Sequence, residues 1–172
     1  RENKVMSFKT RFGNLGNILD FDNLTEENIY VLDSPILTNS QFDRFCKIFS
    51  NKVKFIDCTF DINFSLKERI ELIKKECETA VREGSSTIIL SDKKISSQRA
   101  SIPSILSVGA VHSHLVKNSL RGYCSLNIEC SDALDTHSFS VLVGVGATTI
   151  NPYLAMDSIY QRFEKKLFGK SD

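Results

Sequence analysis

The sequence has no tryptophan, only three prolines and almost no net charge. Its 22 Lys and Arg residues are balanced by 21 Asp and Glu residues, so no global field favours nucleic acid or anionic lipid. No apolar run approaches the roughly 20 residues of a membrane span. The chain begins with arginine and lacks a signal-peptide core, which indicates a processed chain or a piece cut from a longer polypeptide.

The five cysteines lack the spacing of a disulfide framework or a zinc site, because their number is odd and none forms a CxxC pair. This usage favours a reducing compartment such as the cytosol. Cys124 and Cys130 have a C-x5-C spacing, but no third or fourth cysteine follows nearby, so we reject an iron–sulfur cluster. We interpret the cysteines as small buried apolar residues.

Five short apolar runs alternate with longer amphipathic segments. The runs are predicted to be strands at 29–32, 53–56, 87–90, 123–128 and 147–150. Helices are predicted at 40–49, 65–84, 103–120, 134–143 and 154–168. Alternation of this kind predicts an α/β fold with a parallel sheet, which is either doubly wound or an incomplete (β/α) barrel. The 172 residues are predicted to form one domain, with an irregular N-terminal arm at 1–28 and βα repeats at 29–168.

The clearest predicted element is the helix at 65–84. Its apolar residues recur at helical spacing and form one stripe: Leu66, Ile70, Ile73, Cys77 and Val81. Ser65 and Glu68 have the spacing of a capping box, and Gly84 is suited to end the helix.

Each predicted strand is followed by a polar residue, and these residues are the best candidates for a site. They are Asp33, Asp57, Asp92, Glu129 and Asn151. The carboxyl ends of parallel strands meet at one rim, where ligands and catalytic groups gather in α/β folds. The same residues could instead cap helices or contact a neighbouring domain. Since neither a phosphate loop nor a metal-ligand set accompanies them, the residues alone predict an α/β domain without an assembled active site.

Histidines and glycines offer weaker candidates. His112 and His114 are two residues apart on a predicted helix, so they point about 200° apart and cannot share one metal ion. His112 falls on the apolar stripe of its helix and is predicted to be a partly buried core residue. His137 has no identifiable nucleophile partner. Gly144 and Gly146 follow a helix and precede a strand, which is typical of a turn rather than of a dinucleotide-binding loop.

Several segments resemble, in order along the chain, the central domain of glutamate synthases. The segment DSPILTN at 33–39 and ILSD at 89–92 are similar to stretches of that family, although Lys93 stands where the family usually has arginine. IPSILSVGAVH at 102–112 and ATTINPYLA at 147–155 are the longest resemblances. Shorter ones, at 5–7 and 16–19, extend the similarity towards the N-terminus, so that it covers nearly the whole chain.

The resemblance implies a rudimentary, incomplete TIM-like barrel that carries no flavin. It implies a linker between a glutamine amidotransferase domain and an FMN-binding synthase domain of the same polypeptide, which helps to form an ammonia tunnel. The parent enzyme would make L-glutamate from glutamine and 2-oxoglutarate. It would use FMN, a 3Fe–4S cluster and electrons from ferredoxin or an NAD(P)H-oxidising small subunit, in the cytoplasm or in a plastid of a photosynthetic eukaryote.

On this interpretation the chain is catalytically silent by itself and holds no catalytic, cofactor-binding or metal-binding residue. The five strand-end residues then become candidates for domain-contact or tunnel loops. Two alternatives remain open. The chain could be a free-standing (β/α) enzyme that uses Asp92, Glu129 and Asn151 on a small phosphorylated ligand. It could also be an interaction module that binds a partner through residues 1–28.

Overall fold

The computed structural model describes residues 9–12 and 30–167 of the chain. The strands are β1 Thr10–Phe12, β2 Tyr30–Leu32, β3 Val53–Asp57, β4 Thr59–Asp61, β5 Thr87–Ser91, β6 Arg99–Ser101, β7 Ser125–Glu129 and β8 Thr149–Asn151. The α-helices are α1 Asn39–Ile48, α2 Leu66–Arg82, α3 Ser104–Lys117, α4 Thr136–Gly144 and α5 Tyr153–Glu164. Short 3-10 helices span Ser50–Lys52 and Arg121–Tyr123.

The centre of the molecule is a four-stranded parallel sheet in the order β3-β5-β7-β8. Residues 35–37 extend it beyond β8, because Ile36 bridges Ile150 in parallel and Leu37 N–H donates to the Ile150 carbonyl at 2.8 Å. Strands and helices alternate along the chain, which confirms the predicted α/β class of parallel βα units and is consistent with an incomplete barrel. The described strands do not close into a ring.

The prediction that residues 29–32 form the first strand of the parallel sheet is wrong. Within it, β2 pairs antiparallel with β1, so that Thr10 lies opposite Leu32. The parallel position beside β8 is taken by residues 35–37 instead. Pro35 has no N–H to donate and starts a very short run, which explains why pattern alone did not identify this segment. Apart from residues 9–12, which include β1, the predicted N-terminal arm lies outside the described residues.

The helices cover the two faces of the sheet unequally. Ile88, Ile89 and Leu90 are all fully buried in β5, and successive side chains of a strand point to opposite faces. Ile88 and Leu90 join a large apolar cluster with residues of α2, α3 and α4. Ile89 belongs instead to a smaller cluster with Leu37 and the two phenylalanines of α1. The sheet is therefore buried on both sides, as parallel sheets require.

The predicted apolar stripe of α2 is confirmed, and its predicted cap is not. Ile73, Cys77 and Val81 are buried, and Gly84 follows the helix with a φ of +94°. Ser65 stands at the N-cap but its side chain makes no capping hydrogen bond. A complete capping box is found on α1, where Thr38 and Gln41 exchange side-chain and backbone hydrogen bonds.

Beyond the carboxyl ends of β3 and β5, the chain forms a small antiparallel pair of β4 and β6, which we call the flap. It continues from the sheet through Cys58, whose N–H donates to the Ser91 carbonyl at 2.7 Å and whose carbonyl accepts from Ile102 N–H at 2.8 Å. The flap therefore adjoins the rim at which the polar strand ends meet. Among the residues that the structure describes, no helix combines the length and apolar character needed to cross a bilayer.

Candidate functional site

The sheet register brings four polar residues into one line at the carboxyl ends of the strands. Asp57 lies opposite Ser91, Ser91 opposite Glu129, and Glu129 opposite Asn151. Residues opposite one another on paired strands point to the same face. We call this line of side chains the rim row. It shares a sheet face with Ile89, two residues before Ser91, and hence with α1.

Glu129 is a buried carboxylate whose charge is balanced by Lys93. It is 4% exposed, and its oxygens accept from Ser91 Oγ at 2.6 Å and from Lys93 Nζ at 2.7 Å. The hydrogen bond to Glu129 is the main reason that the pKa of Lys93 is raised. Lys93 also lies over the Tyr153 ring, 5.4 Å from its centroid. These contacts make Glu129 part of a satisfied ion pair rather than a free acid or base.

Asp57 is held by the flap. One of its oxygens accepts from Thr59 N–H at 2.9 Å and from Thr59 Oγ1 at 2.7 Å, and the other accepts from Arg99 at 2.9 Å. Burial is the largest single influence on its pKa and acts to raise it. The hydrogen bonds from Thr59 and the charges of Arg99 and Lys94 together outweigh burial, so the pKa of Asp57 is lowered.

Asp92 lies one residue beyond the rim row and is 4% exposed. Its Oδ2 accepts from Ser131 N–H at 2.9 Å and Ser131 Oγ at 2.7 Å. Its Oδ1 is buried and has no hydrogen-bond partner among the described residues. Tyr153 lies near Asp92. Its own burial, and after that the negative charge of Asp92, raise the pKa of Tyr153 to about 12. The tyrosine therefore stays protonated at neutral pH. Although it is a neighbour of Asp92, it does not form a hydrogen bond with Oδ1.

Asn151, at the end of β8, is hydrogen-bonded to residues just before and at the start of α1. It is 1% exposed, and its Nδ2 donates to the Leu37 carbonyl at 3.1 Å and to Asn39 Oδ1 at 2.9 Å. Asn39 in turn donates to Asp157 Oδ1 at 2.7 Å. Asn151 thus links the segment that leads into α1 with the strand that leads into α5.

The structure unites three of the five predicted residues in the rim row and places the other two elsewhere. Asp92 follows the row, and Asp33 is exposed after antiparallel β2, so it does not mark the end of a parallel strand. Sequence reasoning missed the partners Ser91, Lys93, Arg99, Ser131 and Tyr153. Ser91 and Lys93 could have been found from their position beside a strand end. Arg99 had no such signal, because the flap strands are only three residues long.

An open groove of about 520 Å³ lies beside Glu129, between α1 and β3. Its lining mixes apolar and charged side chains: Phe42, Asp43, Cys46, Lys47, Ser50, Phe55, Lys93 and Glu129. Burial raises the pKa of the Cys46 thiol to about 11, so this cysteine is protonated at neutral pH and is a poor nucleophile. The groove has the character of a contact surface rather than of a reaction centre.

The predicted role of His112 as a half-buried core residue is confirmed at the opposite end of the sheet. Its Nδ1 accepts from Arg121 Nε at 3.2 Å, and burial followed by the Arg121 charge lowers its pKa. His114 points elsewhere and pairs with Glu78 at 2.7 Å, so the two histidines do not share an ion. Gly146 follows α4 with a φ of +120° and packs against His112, which confirms the predicted turn.

The described residues do not fit the cofactors that the resemblance implies for a parent enzyme. Within residues 9–12 and 30–167, no group of three His, Cys, Asp or Glu side chains could hold a metal ion. Cys58, Cys77, Cys124 and Cys130 are buried thiols whose pKa values are raised by burial, which disfavours the thiolates that an iron–sulfur cluster needs. The turn at Gly146 is closed by the His112 ring, so it offers no cradle for a phosphate.

These features define an α/β domain of parallel βα units whose polar rim is largely paired within itself. The whole chain, residues 1–172, matches the family described as the glutamate synthase central domain, and it belongs to that family. It is similar to the glutamate synthase [NADPH] large chain of Azospirillum brasilense, with 45% identity over 98% of this chain and 11% of the relative.

Two eukaryotic relatives show the same similarity. The chloroplastic ferredoxin-dependent glutamate synthase of Spinacia oleracea is 34% identical over 94% of this chain and 10% of its own length. The glutamate synthase [NADH] of Schizosaccharomyces pombe is 36% identical over 92% of this chain and 8% of its own length. The chain thus spans about a tenth of the length of the relatives it matches.

Proposed function

We propose that this chain is the connecting domain of a glutamate synthase polypeptide, between a glutamine amidotransferase domain and an FMN-binding synthase domain. The observation that carries the proposal is the rim itself. Its acidic groups are engaged by neighbours of the same domain, Glu129 by Lys93 and Asp57 by Arg99, in a chain that matches the family along its whole length. Such a rim supplies shape and polarity rather than reacting groups.

The chemistry of the parent enzyme would then reside in other parts of the polypeptide. That chemistry is the formation of L-glutamate from glutamine and 2-oxoglutarate, with FMN and a 3Fe–4S cluster, in the cytoplasm or a plastid. Relatives are named for NADPH, NADH and ferredoxin. A domain shared by all three is suited to a task that does not depend on the electron donor, and the domain alone would be inactive.

The loops at the rim are the proposed contacts with the neighbouring domains and with the ammonia tunnel. They follow β3, β5, β7 and β8 and carry Asp57, Asp92, Glu129 and Asn151, while Asp33 lies on the surface before α1. Loops on a rigid α/β scaffold are well suited to such contacts. Asp92 is the most informative of these, because it is buried at the rim and its Oδ2 holds the loop after β7 through Ser131.

A binding experiment tests whether the domain is silent. The purified 172-residue chain is titrated with FMN while flavin fluorescence is followed, and is incubated with glutamine while ammonia is measured. We expect no quenching and no ammonia release, with a full-length glutamate synthase as the positive control. Quenching with micromolar affinity, or glutamine turnover, would contradict the proposal and would favour a free-standing enzyme.

A coupling experiment tests the tunnel. In a full-length enzyme that carries this domain, Asp92→Ala should lower the ratio of glutamate formed to glutamine hydrolysed, because ammonia escapes at a disturbed rim. The matched control is Glu83→Ala, which alters an exposed residue just after α2. An unchanged ratio in Asp92→Ala, in an enzyme that still hydrolyses glutamine, would exclude the tunnel role of this loop.

A further inference from the structure

Helix α5 differs from the other helices because it barely touches the domain. Its first turn is held through half-buried Tyr153, Ala155 and Met156 and through the Asn39–Asp157 hydrogen bond. Every residue from 157 to 167 is exposed, and α5 has no buried residue, whereas α1 to α4 each bury at least one. Most of α5, a helix about 18 Å long, therefore projects away from the sheet.

The projecting part carries an exposed apolar stripe. Ile159, Tyr160 and Phe163 recur at helical spacing, Leu167 follows just beyond the end of the helix, and each of the four is more than half exposed. The opposite side of the helix is polar, with Ser158, Gln161 and Arg162. Large side chains that share one face of a surface helix normally pack against another element, so this stripe has the pattern of a buried face that none of the residues at 9–12 and 30–167 covers.

The end of α5 is well defined although the helix is exposed. Leu167 N–H donates to the Arg162 carbonyl at 3.0 Å and Lys166 N–H to the Phe163 carbonyl at 3.0 Å, with Lys166 at a φ of +52°. These paired bonds are a Schellman motif. The motif fixes where the helix stops. A capped helix of 12 residues is still only marginally stable in water without packing. Helix α5 therefore needs a partner on its apolar stripe to be stably folded.

We infer that the α5 stripe docks into an apolar groove of the polypeptide that follows this domain in a longer glutamate synthase chain. This inference rests on the proposed function. It is supported by length, because each relative leaves about nine tenths of its chain outside the match, and α5 is the last described helix. A segment tethered just beyond Leu167 meets the stripe at an effective concentration in the millimolar range.

The size of the stripe favours a tethered partner over a second copy of the chain. Four side chains of this kind expose roughly 400 Å² in all, with aromatic side chains burying about 150–250 Å² each when fully covered. A stable interface between separate proteins buries about 800 Å² on each side. The α5 stripe reaches about half of that area, which suffices when the partner is covalently connected and association entropy is small.

Hydrogen exchange of the α5 amides provides the test, in the 172-residue chain and in a longer polypeptide that includes the following domain. We expect exchange over residues 157–164 to slow at least tenfold in the longer polypeptide. Phe163→Glu should remove that protection. Gln161→Glu, two residues earlier on the polar side of the same helix, should retain it.

The outcomes separate the docking from alternatives and from the proposed function. Equal exchange in the two polypeptides would refute the docking, as would a 172-residue chain that dimerises through the stripe in sedimentation experiments. Because Phe163 is 71% exposed, Phe163→Glu should leave the unfolding midpoint of the 172-residue chain unchanged. A loss of hydrogen-exchange protection in this variant would then report lost docking and not unfolding of the domain. A reading frame that stops near residue 172 would contradict the proposed function itself.

Discussion

At the scale of single residues, Gly146 is the one of the five compared glycines at which an added Cβ would meet a close neighbour. Its φ of +120° is accessible to glycine, and a Cβ there would overlap the His112 ring. We expect Gly146→Ala to lower the free energy of unfolding by about 3 kcal/mol through strain and overpacking. Gly84→Ala is the matched control, since Gly84 has a φ of +94° but an added Cβ would meet no atom of the described residues within 4 Å. It should cost only about 1 kcal/mol. Urea denaturation of both variants measures the difference.

The His112 overlap can be checked separately with a double variant. If the ring is the main obstacle, Gly146→Ala in a His112→Ala background should cost less than in the wild type, because the ring atoms are gone. It should still cost more than Gly84→Ala, since the remaining Cβ of residue 112 would lie 2.9 Å from the added methyl. The two single changes would then be clearly non-additive in urea denaturation. Additive effects would show that backbone strain alone accounts for the cost.

Asp57 should make stability depend on pH in the acidic range. Its pKa is lowered in the folded protein from an ordinary value of 3.8. A group of this kind stabilises the fold above its unfolded pKa and loses that contribution as the pH falls through the lower folded value. Asp57→Asn should therefore be less stable than the wild type at pH 6–7, with the difference shrinking below about pH 4. A difference that stays constant from pH 7 to pH 2.5, measured by urea denaturation, would disagree with this account.

At the scale of elements, the two candidate helix caps should behave differently. Thr38 accepts from the Gln41 N–H in a complete capping box, so Thr38→Ala should cost about 1 kcal/mol of unfolding free energy. Ser65 occupies the same position on α2 without a side-chain hydrogen bond, and Ser65→Ala should change stability by no more than a few tenths of a kcal/mol. Thermal or urea unfolding of the pair decides between them, and equal costs would contradict the assignment.

The elements that the sequence predicted well are those with strong periodicity. Helix α2 follows from its apolar stripe, and β5 from a fully buried run of β-branched and aliphatic residues. The parallel segment at 35–37 and the flap strands are too short to show a period, so pattern reasoning overlooked them. The antiparallel pairing of β2 depends on a distant partner, β1, which local sequence does not specify.

The position of the rim could be predicted from the sequence, but the hydrogen-bond and ion-pair partners of its residues could not. Strand ends in parallel sheets share one edge, which is why Asp57, Glu129 and Asn151 could be placed together from their spacing alone. Their partners come from elsewhere in the chain. Arg99 reaches Asp57 across 42 residues, and no local pattern encodes a contact of that range. Whether a polar rim is a free site or a satisfied one is therefore decided by tertiary contacts.

At the scale of the whole molecule, Asn151 should contribute more than a local hydrogen bond. It is buried and joins Leu37 and Asn39 across more than 110 residues of sequence. Asn151→Ala would leave the Leu37 carbonyl without this donor and should cost about 2 kcal/mol. It should also increase amide exchange in both α1 and α5.

Asn118→Ala is the control for that prediction. Asn118 donates to the His114 carbonyl within its own helix, at the end of α3, so its loss should cost less and should affect α3 alone. If Asn151→Ala changed exchange only in its immediate strand, the fold would not depend on this link in the way proposed.

The pairing of residues 35–37 with β8 has a consequence for how the fold can be built into other proteins. Because the first and last parallel segments are neighbours, the chain enters and leaves the sheet at the same edge. Because the two segments are parallel, entry and exit lie at opposite ends of neighbouring short strands. A unit of this kind can be inserted between two successive elements of a host protein through connections that span only one short strand.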